Sequence, residues 1–195
     1  MTLLALLRHA PTEWNRTGRM QGRADVSLLD ESRADLARLA LPAPLADFRV
    51  LSSPLRRCLE TAAGLGLVAS PDARLIEMDW GRSEGRTLAE LRATYGAAFA
   101  ANEASGLDFR PDGGESPRDV QARIMPLMAE IARRRQPTLA ITHRGVIRVV
   151  YAQATGWNMV GPPPDELDPQ AVHLFRLDPN GRPTVDRLNI PLVRR

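Results

Sequence analysis

Leu3-Leu4-Ala5-Leu6-Leu7-Arg8-His9 lies at the start of the chain, and its reading decides the rest. An unbroken apolar run of this length fits a strand covered on both faces, which has no need of polar residues at alternate positions. It ends abruptly in an arginine and a histidine. The pattern returns at Thr138-Leu139-Ala140-Ile141-Thr142-His143, followed at once by Gly145 and a helical spacing of Val146, Val149 and Val150. A third run, Phe48-Arg49-Val50-Leu51, leads into Ser53-Pro54, where serine is expected as helix cap and proline at the first helical position, with Gly64 and Gly66 closing the helix. Strands alternating with helices imply parallel pairing through right-handed crossovers. Ligands of such sheets gather at the carboxyl ends of strands. That rule singles out His9, Arg57 and His143, each at or just beyond the end of a different strand.

The segments between these runs fill in an α/β chain. Asp30 to Leu41 places Leu36, Leu39 and Ala40 on one helical face, and Glu77 to Arg86 reads as a polar loop. A helix from Leu88 to about Tyr95 follows, with a further helical piece at Ala97–Ala101. Pro111-Asp112-Gly113-Gly114 is a turn, and Ser116-Pro117 with Asp119 opens a long helix in which Pro126 predicts a kink. Candidate strands at Ala171–Leu177 and Thr184–Leu188 end the chain. With 195 residues and no repeat or linker, one domain over residues 1–195 is expected. The fold class is α/β: a three-layer α/β/α sandwich with a mostly parallel central sheet and helices on both faces.

Composition narrows the function classes. With 44% apolar and 25% charged residues, the chain is neither a disordered tail nor a collagen-like or disulfide scaffold. Its single cysteine, Cys58, can form no internal disulfide and no cysteine zinc site, which fits a reducing cytoplasm. All 26 basic residues are arginine, set against 23 acids. Arginine stays charged at any accessible pH, so this modest excess raises the sequence pI without building a strong field at neutrality. Arg133-Arg134-Arg135 is the only basic run and sits where a helix should end, favoured there by the helix dipole. No basic stretch is interleaved with aromatics, so nucleic acid is not an expected partner. Leu3–Leu7 is shorter than the core of a signal peptide, and no apolar run approaches the ~18 residues of a membrane span. A cytoplasmic protein without membrane contact is expected.

Arg8-His9-Ala10-Pro11-Thr12-Glu13-Trp14-Asn15, continued by Gly18-Arg19-Met20-Gln21-Gly22, resembles the opening signature of the histidine phosphatase superfamily, also called phosphoglycerate mutase-like. Ser52-Ser53-Pro54-Leu55-Arg56-Arg57 resembles its second block, and Leu75-Ile76-Glu77-Met78-Asp79-Trp80-Gly81 with Glu84-Gly85 its third. Gly113-Gly114-Glu115-Ser116 and Thr142-His143 resemble the later ones, in the family's order. The resemblance implies that His9 takes the phosphoryl group of a small phosphorylated metabolite as a phosphohistidine, which water then hydrolyses. It implies that Arg8 and Arg57 clamp the phosphate, and that a protonated His143 donates to it. Asn15 would make a further contact, Gln21-Gly22 would cover the phosphate, and Glu77 would serve as general acid and then base. This chemistry is sound in itself: neutral imidazole is a competent nucleophile, and a covalent intermediate divides one hard displacement into two easier ones. No metal or other cofactor is called for, since guanidinium and imidazolium groups supply the positive charge. His173 has no matching block and reads as structural, and Trp14 reads as packing. Glu115-Ser116 reads as a helix start outside the site.

Two residues depart from the commonest family pattern. Ala10 stands where glycine is frequent, so the backbone there needs a negative φ. Arg144 follows the second histidine where many members have glycine, and this added cation would either bind a second anionic group or point into solvent. The phosphatase branch, resembling broad-specificity and α-ribazole phosphatases, is favoured over a cofactor-dependent phosphoglycerate mutase. Mutases carry Arg-His-Tyr-Gly after the acid, whereas this chain has Met78-Asp79-Trp80-Gly81 and so lacks the arginine that retains the substrate carboxylate. A catalytically silent phosphate-binding module is the other alternative, but it would need neither His9 nor Glu77.

Overall fold

The computed structural model describes residues 1–195. In chain order its strands and helices are β1 (Thr2–Arg8), α1 (Glu13–Arg16), α2 (Asp30–Leu36), β2 (Leu39–Ala40), α3 (Ala43–Ala46), β3 (Arg49–Ser52), α4 (Arg56–Gly64) and β4 (Ser70–Pro71). They continue as α5 (Leu88–Glu103), α6 (Pro117–Arg134), β5 (Thr138–Thr142), α7 (Arg144–Thr155), β6 (Val172–Leu177), β7 (Pro183–Ile190) and β8 (Val193–Arg194). Six strands form one sheet in the order β4-β3-β5-β1-β6-β7.

β1 shows why the opening run is continuously apolar. Leu4 and Leu6 point into a core of 21 buried residues shared with α6 and α7, including Ile124, Met128, Val149 and Phe175. Ala5 and Leu7 point the other way, into a core of 14 that includes Leu36 of α2 and Cys58 and Ala62 of α4. Successive residues of a strand face opposite sides, so a two-sided core needs every position apolar. At about 1.5–3 kcal/mol for each large side chain taken out of water, this strand is a main contributor to stability. Helices thus cover both faces of a mostly parallel sheet, the expected three-layer class.

The register places three strand ends side by side. β1 runs parallel to β5 with Arg8 opposite Thr142, and β3 runs parallel to β5 with Ser52 opposite Ile141. The residues that follow these strands therefore emerge at one edge. β6 departs from the parallel pattern and pairs antiparallel to β1, starting with Val172 opposite Leu7. The proline-rich segment between Gly156 and Ala171 carries the chain back to the carboxyl end of β1 before β6 begins, which forces the reversal. β6 and β7 then form a hairpin.

Two local expectations need correction. The helix starting at Asp30 stops at Leu36, because Leu39–Ala40 pairs instead with Val193–Arg194 near the C-terminus. α4 begins at Arg56 with Leu55 as its cap residue and no side-chain cap, so Ser53 and Pro54 precede the helix rather than start it. Elsewhere the local chemistry is as read: Ser116 and Asp119 form a reciprocal capping box on α6. α5 is broken at Gly96, whose φ of 49° and ψ of −127° suit only glycine.

Candidate active site

His9 follows the last residue of β1, and its backbone N–H donates to the Thr142 carbonyl at 2.9 Å, continuing the parallel ladder. The imidazole is 5% exposed. Its Nδ1 lies 2.8 Å from the Ala10 carbonyl, which can only accept, so Nδ1 carries the proton and Nε2 keeps a free lone pair. Burial lowers the pKa of His9 well below that of a free imidazole, and Arg8 and Arg57 push it the same way. The ring is neutral at physiological pH and its reactive nitrogen is uncommitted.

His143 stands next to it, with ring centroids 5.3 Å apart. It is fully buried, between Arg57 and Ser53. Arg57 Nε is always a donor and lies 3.3 Å from His143 Nδ1, so that nitrogen accepts. Nε2–H then donates to Ser53 Oγ at 2.7 Å. Burial, then His9 and Arg57, hold the ring well below its ordinary pKa. Both ring nitrogens are thus engaged by protein groups, and burial disfavours a charge on the ring. A phosphate dianion among these groups would pull the balance towards protonation. Ser53 was read only as a helix cap, and its neighbour Pro54 supplied that misleading signal.

Arg57 is fully buried in the first turn of α4. Its terminal nitrogens donate to the carbonyls of Ala24 and Gly22, both at 2.8 Å. Those carbonyls belong to a loop held from the other side by Glu84, whose Oε1 accepts from the N–H groups of Gly22 and Ala24. Arg23 of the same loop donates to the Glu77 carbonyl and pairs with Glu115 at 3.2 Å. Glu84 and Glu115 therefore hold the loop that lies over the site, although sequence reading quoted both in their blocks and assigned neither a role there.

Three donors of this region are left free. Arg8 Nε and Gln21 Nε2 are buried without partners. Asn15 spends its carbonyl oxygen on the N–H of Thr12 in the capping box of α1, which fixes the side chain and leaves its amide nitrogen available. Buried donors without partners are costly in water-free surroundings, and an anion among them would satisfy them. A cavity of about 370 Å³ opens on the α2 side of His9, lined by Arg8, Ala10, Asn15 and Thr61 but not by Gln21, Arg57, Glu77 or His143. The larger cavity of about 610 Å³ lies around Met1, Thr2 and Arg135, at the opposite end of β1 and away from every residue named here.

Glu77 is 6% exposed in the loop after Leu75. Burial raises its pKa above the ordinary carboxyl range, against the opposing pull of the N–H groups of Met78 and Gly145 and the charges of Arg57 and Arg8. Oε1 accepts from Met78 N at 2.8 Å and Oε2 from Gly145 N at 3.2 Å. Gly145 leaves room for this carboxyl, since a Cβ built there would lie 2.3 Å from Glu77 Oε1. Gly145→Ala is therefore expected to displace Glu77 and lower turnover by about tenfold to a hundredfold while the protein stays folded, read by steady-state kinetics beside a thermal melt.

Other residues stay outside. Cys58 is buried and its thiol is pushed far up by burial, so it is no nucleophile. His173 is buried on β6 with Nε2 3.2 Å from the Asp168 carbonyl. Trp14 packs beside Gly85. No three metal-ligating side chains cluster anywhere in the chain.

Two neighbouring histidines at adjacent strand ends, one with a free nitrogen, thus share one edge of the sheet with the buried Arg57, with Arg8 and with a buried glutamate. The chain belongs to the histidine phosphatase superfamily (branch 1), whose family model matches residues 4–191. It falls with the phosphatases of that family. A glucosyl-3-phosphoglycerate phosphatase from Mycolicibacterium vanbaalenii is 35% identical over 179 residues, which cover 81% of this chain and 78% of that protein. Phosphoserine phosphatase 1 from Hydrogenobacter thermophilus is 31% identical over 165 residues, covering 80% and 77%. Among solved structures, the mycobacterial glucosyl-3-phosphoglycerate phosphatase in complex with VO3 superposes with a TM-score of 0.78 at 27% identity, covering 97% of this chain and 100% of that one. No helix of this protein is long and apolar enough to cross a membrane.

Proposed function

We propose that this protein is a metal-independent phosphomonoesterase that hydrolyses a small phosphorylated metabolite in the cytoplasm through a phosphohistidine on His9. The observation that carries the reading is the pairing of a neutral His9 having a free Nε2 with a buried Glu77 whose pKa is raised. The Nε2 lone pair attacks phosphorus and the ester P–O bond breaks. The leaving alkoxide takes the proton of the Glu77 carboxyl, because an alkoxide is too basic to depart unaided. Arg8, Arg57, His143, Asn15 and Gln21 donate to the equatorial oxygens, where the charge of the transferred group resides, and Gly22 lies in the covering loop. In the second half Glu77 carboxylate removes a proton from water as it attacks phosphorus. The P–N bond breaks, its electrons return to Nε2, and inorganic phosphate and protonated Glu77 result.

The residues after Glu77 support hydrolysis over mutase chemistry. Met78 is buried, and the Asp79 carboxylate accepts from Gly81 N, so this segment presents no cation to retain an acid product for return of the phosphoryl group. The test is a panel of phosphate monoesters, with p-nitrophenyl phosphate in the presence of a chelator, and 3-phosphoglycerate with and without 2,3-bisphosphoglycerate. Phosphate release that survives the chelator is expected. Interconversion of phosphoglycerates dependent on the bisphosphate would replace this reading with the mutase, and binding without turnover with a silent module.

A further inference from the structure

Thr61 is a polar side chain buried on α4, one helical turn after Arg57 and on the same face. Its hydroxyl donates to the Arg57 carbonyl at 2.7 Å. That bond uses the only proton of the hydroxyl, so the oxygen can meet other groups only as an acceptor. The group it meets is the backbone N–H of Ala10, at 3.0 Å. Ala10 in turn is the residue whose carbonyl accepts from His9 Nδ1–H at 2.8 Å. A directed chain of hydrogen bonds thus runs from the His9 ring, through one backbone residue, to the helix that carries Arg57.

The surroundings give this chain its importance. The backbone N–H of His9 still joins the strand ladder, on the Thr142 carbonyl, whereas that of Ala10 is held by Thr61 alone. The cavity of about 370 Å³ borders both Ala10 and Thr61, so packing leaves the Ala10 backbone open on that side. Pro11 follows, and a residue before proline is held to extended backbone. With that torsion restricted, fixing the Ala10 N–H also fixes where its carbonyl points. Threonine suits the task, because branching at Cβ leaves few rotamers in a helix and the bond to the carbonyl four residues back selects among them. We propose that Thr61 is a positioning residue for the nucleophile: its hydroxyl holds the Ala10 backbone, and through the Ala10 carbonyl keeps His9 in the tautomer that leaves Nε2 free. This inference rests on the phosphatase reading and adds a residue to it.

The test removes the hydroxyl while keeping the shape, with Thr61→Val, and keeps the hydroxyl without the methyl, with Thr61→Ser. Thr61→Val is expected to lower kcat for p-nitrophenyl phosphate by about tenfold to a hundredfold, as misalignment of a reacting atom warrants, and Thr61→Ser to stay within about threefold of wild type. Inhibition by inorganic phosphate should change little in either variant, because Arg57 keeps its own bonds to Gly22, Ala24 and His143. Nitrogen NMR of the His9 ring, assigned against His9→Ala, adds a reading that a merely structural role would leave unmoved. Nε2 should be unprotonated in wild type and Thr61→Ser, and the ring a mixture of tautomers in Thr61→Val. If Thr61→Val fails to fold, Thr61→Ala removes the hydroxyl with less bulk and is held to the same readings. Turnover unchanged without the hydroxyl, a loss that Thr61→Ser shares in full, or a loss with the tautomer unaltered overturns the positioning role. If the wild-type protein hydrolyses no phosphate ester, the phosphatase reading falls, and the ring spectra still decide whether Thr61 holds His9.

Discussion

Replacement of His9 by alanine is expected to reduce phosphate release from p-nitrophenyl phosphate by at least about a thousandfold, because the nucleophile of the first displacement is gone and water must attack in its place. The effect is large because the imidazole is built for one task. The Ala10 carbonyl fixes its tautomer, burial and two arginines keep it unprotonated, and its free nitrogen adjoins donors without partners. The side chain lies beyond the end of β1, so its truncation should leave the two-sided core intact, as circular dichroism and a thermal melt would show. Rapid acid-free quenching during turnover should find phosphate on the His9 peptide in the wild type and none in the variant. Activity equal to wild type in His9→Ala would end the phosphohistidine proposal.

Glu77→Gln should act unequally on different esters. Esters of aliphatic alcohols need a proton on the departing oxygen, and their hydrolysis is expected to fall by about 10²–10⁴-fold. p-Nitrophenolate departs without such help, so its ester should lose much less in the first step. The pH dependence follows from the directions of the two shifts. His9 is active unprotonated and its pKa is depressed, so activity rises with pH on a limb placed well below the usual histidine range. Glu77 is active protonated and its pKa is raised, so the acid form survives above the usual carboxyl range and activity falls as pH climbs through that value. Both limbs should appear in kcat/KM for an aliphatic ester, and Glu77→Gln should remove the falling one. Equal losses on both ester types, with the falling limb kept, would take the acid role from Glu77.

Much of this architecture was legible because the decisive signals are local. β1 and β5 are short apolar runs ending in polar residues, and a two-sided core imposes that pattern directly. The break between Tyr95 and Ala97 and the cap at Ser116 were readable for the same reason, since helix ends depend on a few adjacent residues. What escaped depends on distant parts of the chain. Leu39–Ala40 has helical spacing but pairs with Val193–Arg194, and no local rule could foresee that. The direction of β6 depends on where a long connection returns the chain. In the site, the strand-end rule brought His9, Arg57 and His143 to one edge, and the structure places Glu77 there as well. Ser53 and Glu84 were missed because their partners, His143 Nε2 and the N–H groups of Gly22 and Ala24, meet them only in three dimensions.

The register of β1, β3 and β5 has a consequence for how such a protein can change. Arg8, His9 and His143 are fixed at the ends of strands that pair with one another, with Arg57 in the helix turn after a third, whereas connecting segments and helix surfaces around them lie outside the ladder. Insertions or exchanges in those segments can therefore exchange one metabolite for another without moving the reacting nitrogen. Chemistry and selectivity are separable inheritances in this chain.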